Sequence, residues 1–480
     1  MRQRARQTLS RVAGAPLVGG NAVELLIDGR ANFEAWASAI TTARSSIFLE
    51  NYIFDESDVS HHLRDALSER AAAGVRVTVI RDWLGCLGAS RSKLWRPLCV
   101  AGGEVRVYNP FRLTSPFGWL PRDHRKLLVV DDEVAFVSGV CVSQKWLGDP
   151  ARGIDAWRDT GVAVRGPAVH DVANAFAESW ARLGPGLAPD LPALRHRPHA
   201  VGNVSLRVIA SSPGTTGLYR HEQLIAAIAQ RSLWLTDAYF VGLAPYVQAL
   251  TAAARDGVDV RLLVPGTSDL PAVGALSRAG YRPLLEAGVR VYEWNGSMLH
   301  AKTAVADGRW TRIGSSNLNI ASWMGNSEID VSIEDDEIGR AMELQYERDL
   351  LGATEILLHA TRHPVRRSLR GYSKLHGAGS GRAAAGAMRL ASTVGAAMAG
   401  TRVLAPVEGD LLLGGAAVLA GATALALYAP RAIAWPLAAL AGWSAIALLG
   451  SYVRGRRAHG CGVPAASRSA LPWTSSSTGP

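Results

Sequence analysis

The chain has 480 residues, 48% of them hydrophobic, and carries 51 Lys and Arg against 41 Asp and Glu, a net charge of +10. This length exceeds one ordinary domain and the composition excludes a disordered or fibrous chain. Four cysteines (Cys86, Cys99, Cys141 and Cys461) show neither CxxC nor zinc spacing, which excludes a disulfide scaffold and predicts reduced thiols.

From the N-terminus, residues 1–20 (MRQRARQTLSRVAGAPLVGG) are basic and lack the apolar core of a signal peptide, so a flexible basic arm is expected there. Residues 21–185 read as a first α/β half: a strand in IFLENYIF from Ile47, a helix, a strand in GVRVTVI, then VRVY from Val105. An apolar, aromatic loop, NPFRLTSPFGWLPRD, carries Phe111, Phe117 and Trp119 and leads into HRKLLVVDD. There His124 and Lys126, two apart at the start of a strand, point the same way. One such pair at a strand tip is ordinary.

Residues 200–350 repeat the pattern. LWLTDAYF from Leu233, GVDVRLLV, and VRVY from Val289 precede SMLHAKTAVADG, with His300, Lys302 and Asp307 at the spacing of His124, Lys126 and Asp131. The VRVY copies lie 184 apart and the histidines 176 apart, so the first half holds 8 additional residues, in its aromatic loop. Duplication of this kind predicts a tandem α/β sandwich with a pseudo-twofold axis. Pairing about that axis would bring two histidines and two lysines into one site.

Beyond the repeat, residues 351–408 read as a basic linker. Residues 409–453 contain two uncharged runs, from Leu411 and from Ala432, each long enough to cross about 30 Å of hydrocarbon as a transmembrane helical hairpin. A tail follows over 454–480. Residues 351–480 hold 13 basic and 3 acidic residues, against 38 of each before them. Basic flanks on both outer ends, Arg366, Arg367 and Arg370 before and Arg454, Arg456 and Arg457 after, predict that both ends, and with them the duplicated region, lie on the cytoplasmic side. These cations suit an anionic membrane. A balanced catalytic region argues against nucleic acid as a partner.

Phosphodiester transfer suits two His/Lys pairs. One neutral imidazole attacks phosphorus, the other donates a proton to the leaving oxygen, and the lysines hold the non-bridging oxygens. No metal or other cofactor is expected, because each histidine has a lysine two residues away and no carboxylate at ligand spacing. Asp131 and Asp307 complete the two motifs and join the catalytic set, although their place at a hairpin turn suits a structural role. Asp159 in WRDTGVAV and Glu328 in NSEIDVSI align as supporting carboxylates that would fix an imidazole tautomer. Glu50 is a weaker candidate for the same site.

The ordered set HRKLLVVD, WRDTGVAVRGPAV, LHAKTAVADG and IGSSNLN resembles the phospholipase D superfamily over roughly Asn21 to Leu350, and most closely its bacterial cardiolipin synthase branch. That resemblance implies His124 as nucleophile and His300 as general acid and then base. It also implies phosphate-contacting roles for Ser315 and Asn317 beside Gly314 and Ser316. At the same spacing after His124 the family asparagine is replaced by Cys141. The implied activity is a membrane-anchored phosphatidyltransferase making cardiolipin from phosphatidylglycerol through a phosphatidyl-histidine. A hydrolytic phospholipase D uses the same residues; a nuclease and a non-catalytic membrane scaffold are the remaining alternatives.

Overall fold

A computed structural model describes residues 2–87, 93–111, 120–188, 191, 195–358 and scattered positions between 420 and 449. Its larger unit, Met1–Pro110 with Leu120–Gly415, is built on a mixed sheet of fifteen strands. In the first half these are β1 (Val18–Ile27), β2 (Ser46–Asn51), β3 (Arg76–Asp82), β4 (Glu104–Tyr108), β5 (Leu127–Val130), β6 (Val134–Ser138) and β7 (Thr160–Arg165). The second half supplies β8 (Val204–Ser211), β9 (Ser232–Thr236), β10 (Asp259–Pro265), β11 (Arg290–Trp294), β12 (Thr303–Ala306), β13 (Trp310–Gly314), β14 (Glu328–Glu334) and β15 (Ala353–Ile356).

The sheet order is β15-β11-β10-β9-β12-β13-β14-β8-β1-β7-β6-β5-β2-β3-β4. Apart from β15, each half reads outward in the same sequence from β1 or β8, which is the duplication the repeat predicts. In each half three parallel strands (β2–β4, β9–β11) join an antiparallel hairpin that starts at the motif. The halves meet where β1 pairs antiparallel with β8, across a register shift between Val18 and Asn21.

Both faces of the sheet are covered, so its strands are apolar on both sides rather than alternating with polar residues. Phe48, Leu127, Val129 and Trp234 face a core shared by the two halves, which also takes in Val331 and the helix Val169–Arg182. Their neighbours Ile47, Leu49, Leu128 and Val130 face an outer core of the first half, and Leu233 and Leu235 that of the second. Phe48 and Phe176 stack at 5.0 Å with rings 4° apart. Fully burying one such side chain contributes about 1.5–3 kcal/mol, so the shared core binds the halves firmly.

The N-terminal segment corrects an expectation. It is not a flexible arm: Arg2–Ala13 is a helix and β1 begins at Val18. Leu9 and Ala13, four apart on one helix face, are buried in the second half's core. Arg6 pairs with Glu334 at 2.8 Å, and buried Arg207 donates to the Arg6 carbonyl at 3.0 Å.

A second, smaller unit groups Phe111–Trp119 with Ala416–Pro480. Within it the ring of Phe111 lies 6.0 Å from that of Trp443. Among the described residues no helix is long and apolar enough to cross a membrane. The two apolar runs lie mostly outside the described residues, as do nearly all of the linker, the tail and Cys461.

Candidate active site

Each motif enters its strand, β5 or β12, alongside a segment from the other half. Two isolated parallel bridges, Asp123 with Ser327 and Arg158 with Leu299, make the connection. His124 N–H donates to the Ser327 carbonyl at 2.9 Å, and His300 N–H to that of Arg158 at 2.7 Å. The next residues in those partner segments are Glu328 and Asp159. The pairing is therefore crossed: His124 Nδ1 meets Glu328 Oε2 at 2.8 Å, and His300 Nδ1 meets Asp159 Oδ2 at 2.8 Å. A carboxylate there holds the proton on Nδ1 and leaves Nε2 as the reacting nitrogen.

All four partners are buried, with His124 9% and His300 4% exposed. Burial lowers the pKa of both imidazoles; it is opposed by Glu328 at His124, and reinforced at His300 by Lys302, which takes His300 down to about 3. For the carboxylates burial acts upward, but the facing histidines, the lysines and the remaining hydrogen bonds outweigh it, and both Asp159 and Glu328 stay below their usual range. Both shifts favour the neutral imidazole.

Lys126 Nζ donates to the His124 carbonyl at 2.6 Å. Lys302 Nζ reaches the His300 carbonyl and lies 2.9 Å from Nδ1 and 3.1 Å from Nε2 of that ring. Burial, with Lys126 adding to it and Asp159 and Asp237 opposing, draws Lys302 down to about 8. Lys302 also presses on His124, and Lys126 on His300, so the two motifs form a single electrostatic centre.

The supporting residues divide the halves. Ser315 Oγ donates to Glu328 Oε2 at 2.6 Å. At the same spacing in the first half stands Gly139, where a Cβ would lie 2.3 Å from Asp159 Oδ1. Asp159 Oδ2 instead accepts from Trp146 Nε1 at 2.8 Å. Buried Asn317 donates its N–H to Ser322 Oγ at 3.1 Å, and its side-chain oxygen has no hydrogen-bond partner among the described residues. Cys141 is buried too: burial raises its pKa although Lys126 and Lys302 act in the other direction. Glu50 is buried and interacts with Arg125 and Asp123, and burial raises its pKa.

Asp131 and Asp307 are corrected. They lie at the far end of the motif strands, seven residues past the histidines and roughly 23 Å away at about 3.3 Å per residue. Asp131 accepts N–H groups of Ser45 and Ser46 at 2.7 and 2.8 Å, and Asp307 those of Arg231 and Ser232 at 2.7 and 3.0 Å. Each clamps the start of the strand that pairs with its motif strand, and each sits at positive φ, 53° and 54°.

Four aromatic residues at the centre went unread. Tyr52 sits edge-on to His124 at 5.0 Å and under Lys126 at 5.1 Å. Tyr239 lies 5.9 Å from His300 and 5.7 Å from Lys302 Nζ. Trp146 and Trp157, 4.9 Å from each other, pack together against the His300 ring at 5.0 and 5.6 Å. Tyr52 and Tyr239 follow the C-terminal ends of β2 and β9, the one signal that could have found them. Among the described residues no cluster of ligating side chains could hold a metal ion.

Comparisons with known proteins agree with this geometry. The family described as cardiolipin synthase, PLD-like domain, matches residues 37–180 and 224–350. A cardiolipin synthase of Clostridium perfringens is 30% identical over 348 residues, covering 71% of this chain and 72% of that protein. The major cardiolipin synthase ClsA of Bacillus subtilis is 32% identical over 343 residues, covering 69% of each. A phosphatidylserine synthase of Haemophilus influenzae shares the fold, with a TM-score of 0.56 at 15% identity, over 75% of this chain and 94% of that one.

Proposed function

The chain belongs to the cardiolipin synthase family of phospholipase D-like proteins, and we propose that it makes cardiolipin from two molecules of phosphatidylglycerol. It is a phosphatidyltransferase. The observation that carries the mechanism is the crossed pair of His–carboxylate contacts, each at 2.8 Å.

In the proposed sequence His124 Nε2 forms a bond to the phosphatidyl phosphorus as the bond to the glycerol headgroup oxygen breaks. His300 Nε2–H gives its proton to that oxygen and glycerol leaves. A bound phosphodiester supplies the negative charge that offsets Lys302 and lets His300 carry this proton. Lys126 and Lys302 hold the non-bridging oxygens as charge shifts onto them. A hydroxyl of the second phosphatidylglycerol then gives its proton to His300 and displaces His124 from phosphorus. Atoms balance: two phosphatidylglycerols give one cardiolipin and one glycerol.

The catalytic assignments, with Asp159 and Glu328 as positioning carboxylates and Ser315 and Asn317 in support, belong to this proposal. So does an architecture in which the apolar runs over 409–453 cross a bacterial inner membrane with the catalytic region in the cytoplasm. Their basic flanks support that reading, and the Phe111–Trp443 contact links the aromatic loop to the second run. A reporter fused after Pro480 is expected to read as cytoplasmic; an extracytoplasmic signal would reject this topology.

Product analysis tests the function. Purified full-length protein incubated with phosphatidylglycerol is expected to yield cardiolipin and glycerol, both lost in His124→Ala. Phosphatidic acid as the main product would replace transfer by hydrolysis.

A further inference from the structure

The loops around the site share a feature that the chemistry does not use. Strand pairing brings the ends of β2, β3 and β4 and the approach to β7 to the edge where β5 begins, and the second half repeats this around β12. On those loops Leu87, Leu120, Ile154, Leu270, Ile320 and Met324 are between 46% and 56% exposed. One exposed apolar side chain is ordinary, but six on loops of both halves around one buried centre need a cause. The opposite edge turns on short polar segments such as Asp131–Glu133, Asp256–Gly257 and Asp307–Arg309, although Val100, Val201, Ile228, Leu357 and Leu358 are exposed near it.

A second observation indicates what meets this rim. Trp157, half-buried against His300, carries exposed Lys145 with its Nζ 4.7 Å from the ring centroid. An indole at the boundary with an ammonium outside it suits the headgroup layer of an anionic bilayer. Of the nearby acids, Asp149 lies 3.9 Å from Arg152 and Asp269 accepts from Tyr239 Oη at 2.7 Å, while Asp155, next to Ile154, is exposed.

We propose that this rim is a docking surface for a phospholipid bilayer, with the apolar tips among the acyl chains and Lys145 among the phosphates. It rests on the phosphatidyltransferase reading and deepens it. The phosphodiester of a membrane lipid lies at headgroup depth, so a catalytic edge seated there receives its substrate without extracting the chains into water.

The test compares the wild type with Leu120→Ser/Leu270→Ser/Ile320→Ser on two forms of phosphatidylglycerol. On dioleoyl vesicles the variant's turnover is expected to fall about tenfold or more, while on monomeric dihexanoyl lipid it stays within about twofold. Equal losses on both substrates, or no loss on vesicles, would overturn the proposal. Hydrogen exchange on the full chain supplies a readout independent of turnover. Amides of 266–272 and 318–325 are expected to slow about fivefold or more in dioleoylphosphatidylglycerol bilayers relative to detergent. If the wild type makes no product from either lipid the transferase reading fails, yet this protection still decides the rim: its absence rejects bilayer docking. Protection in detergent through self-association, abolished in the triple variant, would assign the rim to a second copy of the chain and likewise overturn the proposal.

Discussion

His124 and His300 occupy corresponding strands, yet their surroundings differ. His124 faces Tyr52, and its Glu328 carboxylate is held by a serine hydroxyl; His300 packs against a pair of touching tryptophans, and its Asp159 carboxylate is held by an indole. Lys302 lies against its own histidine ring, whereas Lys126 reaches only its histidine's carbonyl. The two motifs are equal in sequence, and their neighbours make them unequal, as the two roles proposed for them require. Because the carboxylates are exchanged, neither half holds a complete site.

The largest expected effect is loss of either histidine. His124→Ala and His300→Ala should each lower cardiolipin formation by on the order of 10⁴-fold or more, since the groups act as a unit. A variant that kept near-normal turnover would show that one half suffices. Next come the exchanged carboxylates. Asp159→Asn and Glu328→Gln are expected to cost roughly 10²–10⁴ in kcat with little change in KM. The exchange predicts how they fail: Glu328→Gln should block formation of the adduct on His124, whereas Asp159→Asn, acting through His300 as acid and then base, should slow both its formation and its breakdown. The reverse pattern in rapid-quench samples would break the crossed assignment.

The lysines give a third comparison. Lys302→Met is expected to cost roughly 10²–10³ in kcat. Lys302 is drawn down to about 8 without substrate, so kcat/KM, which follows the free enzyme, should fall as pH rises through about 8. Lys302→Arg should remove that limb from the pH profile; a limb left in place would assign it to another group. Smallest are the motif aspartates. Asp131→Asn and Asp307→Asn should each cost about 1–2 kcal/mol of stability through lost N–H acceptors, read as a lower Tm, with turnover of the folded protein within about twofold.

Much of this arrangement is legible in the chain. The repeat predicts the duplicated sheet, and the spacing of WRDTGVAV and NSEIDVSI picks out Asp159 and Glu328. What strand periodicity cannot give is the partner across the interface, because alternation fixes which way a side chain points and not which half it meets. The same limit hides Tyr52, Tyr239, Trp146 and Trp157: aromatic residues beside a strand read as core until a second motif packs against them. The N-terminal helix was missed for another reason. Its arginines dominate the composition, while the apolar face that docks it rests largely on Leu9 and Ala13.

The most direct test of the central claim is to identify the covalent intermediate. Wild-type protein would be mixed with phosphatidylglycerol labelled at phosphorus, quenched under mildly alkaline denaturing conditions and mapped by mass spectrometry. Phosphorus label on the peptide containing His124 is the predicted result; label on His300, or no histidine adduct during turnover, would contradict the proposed order of events.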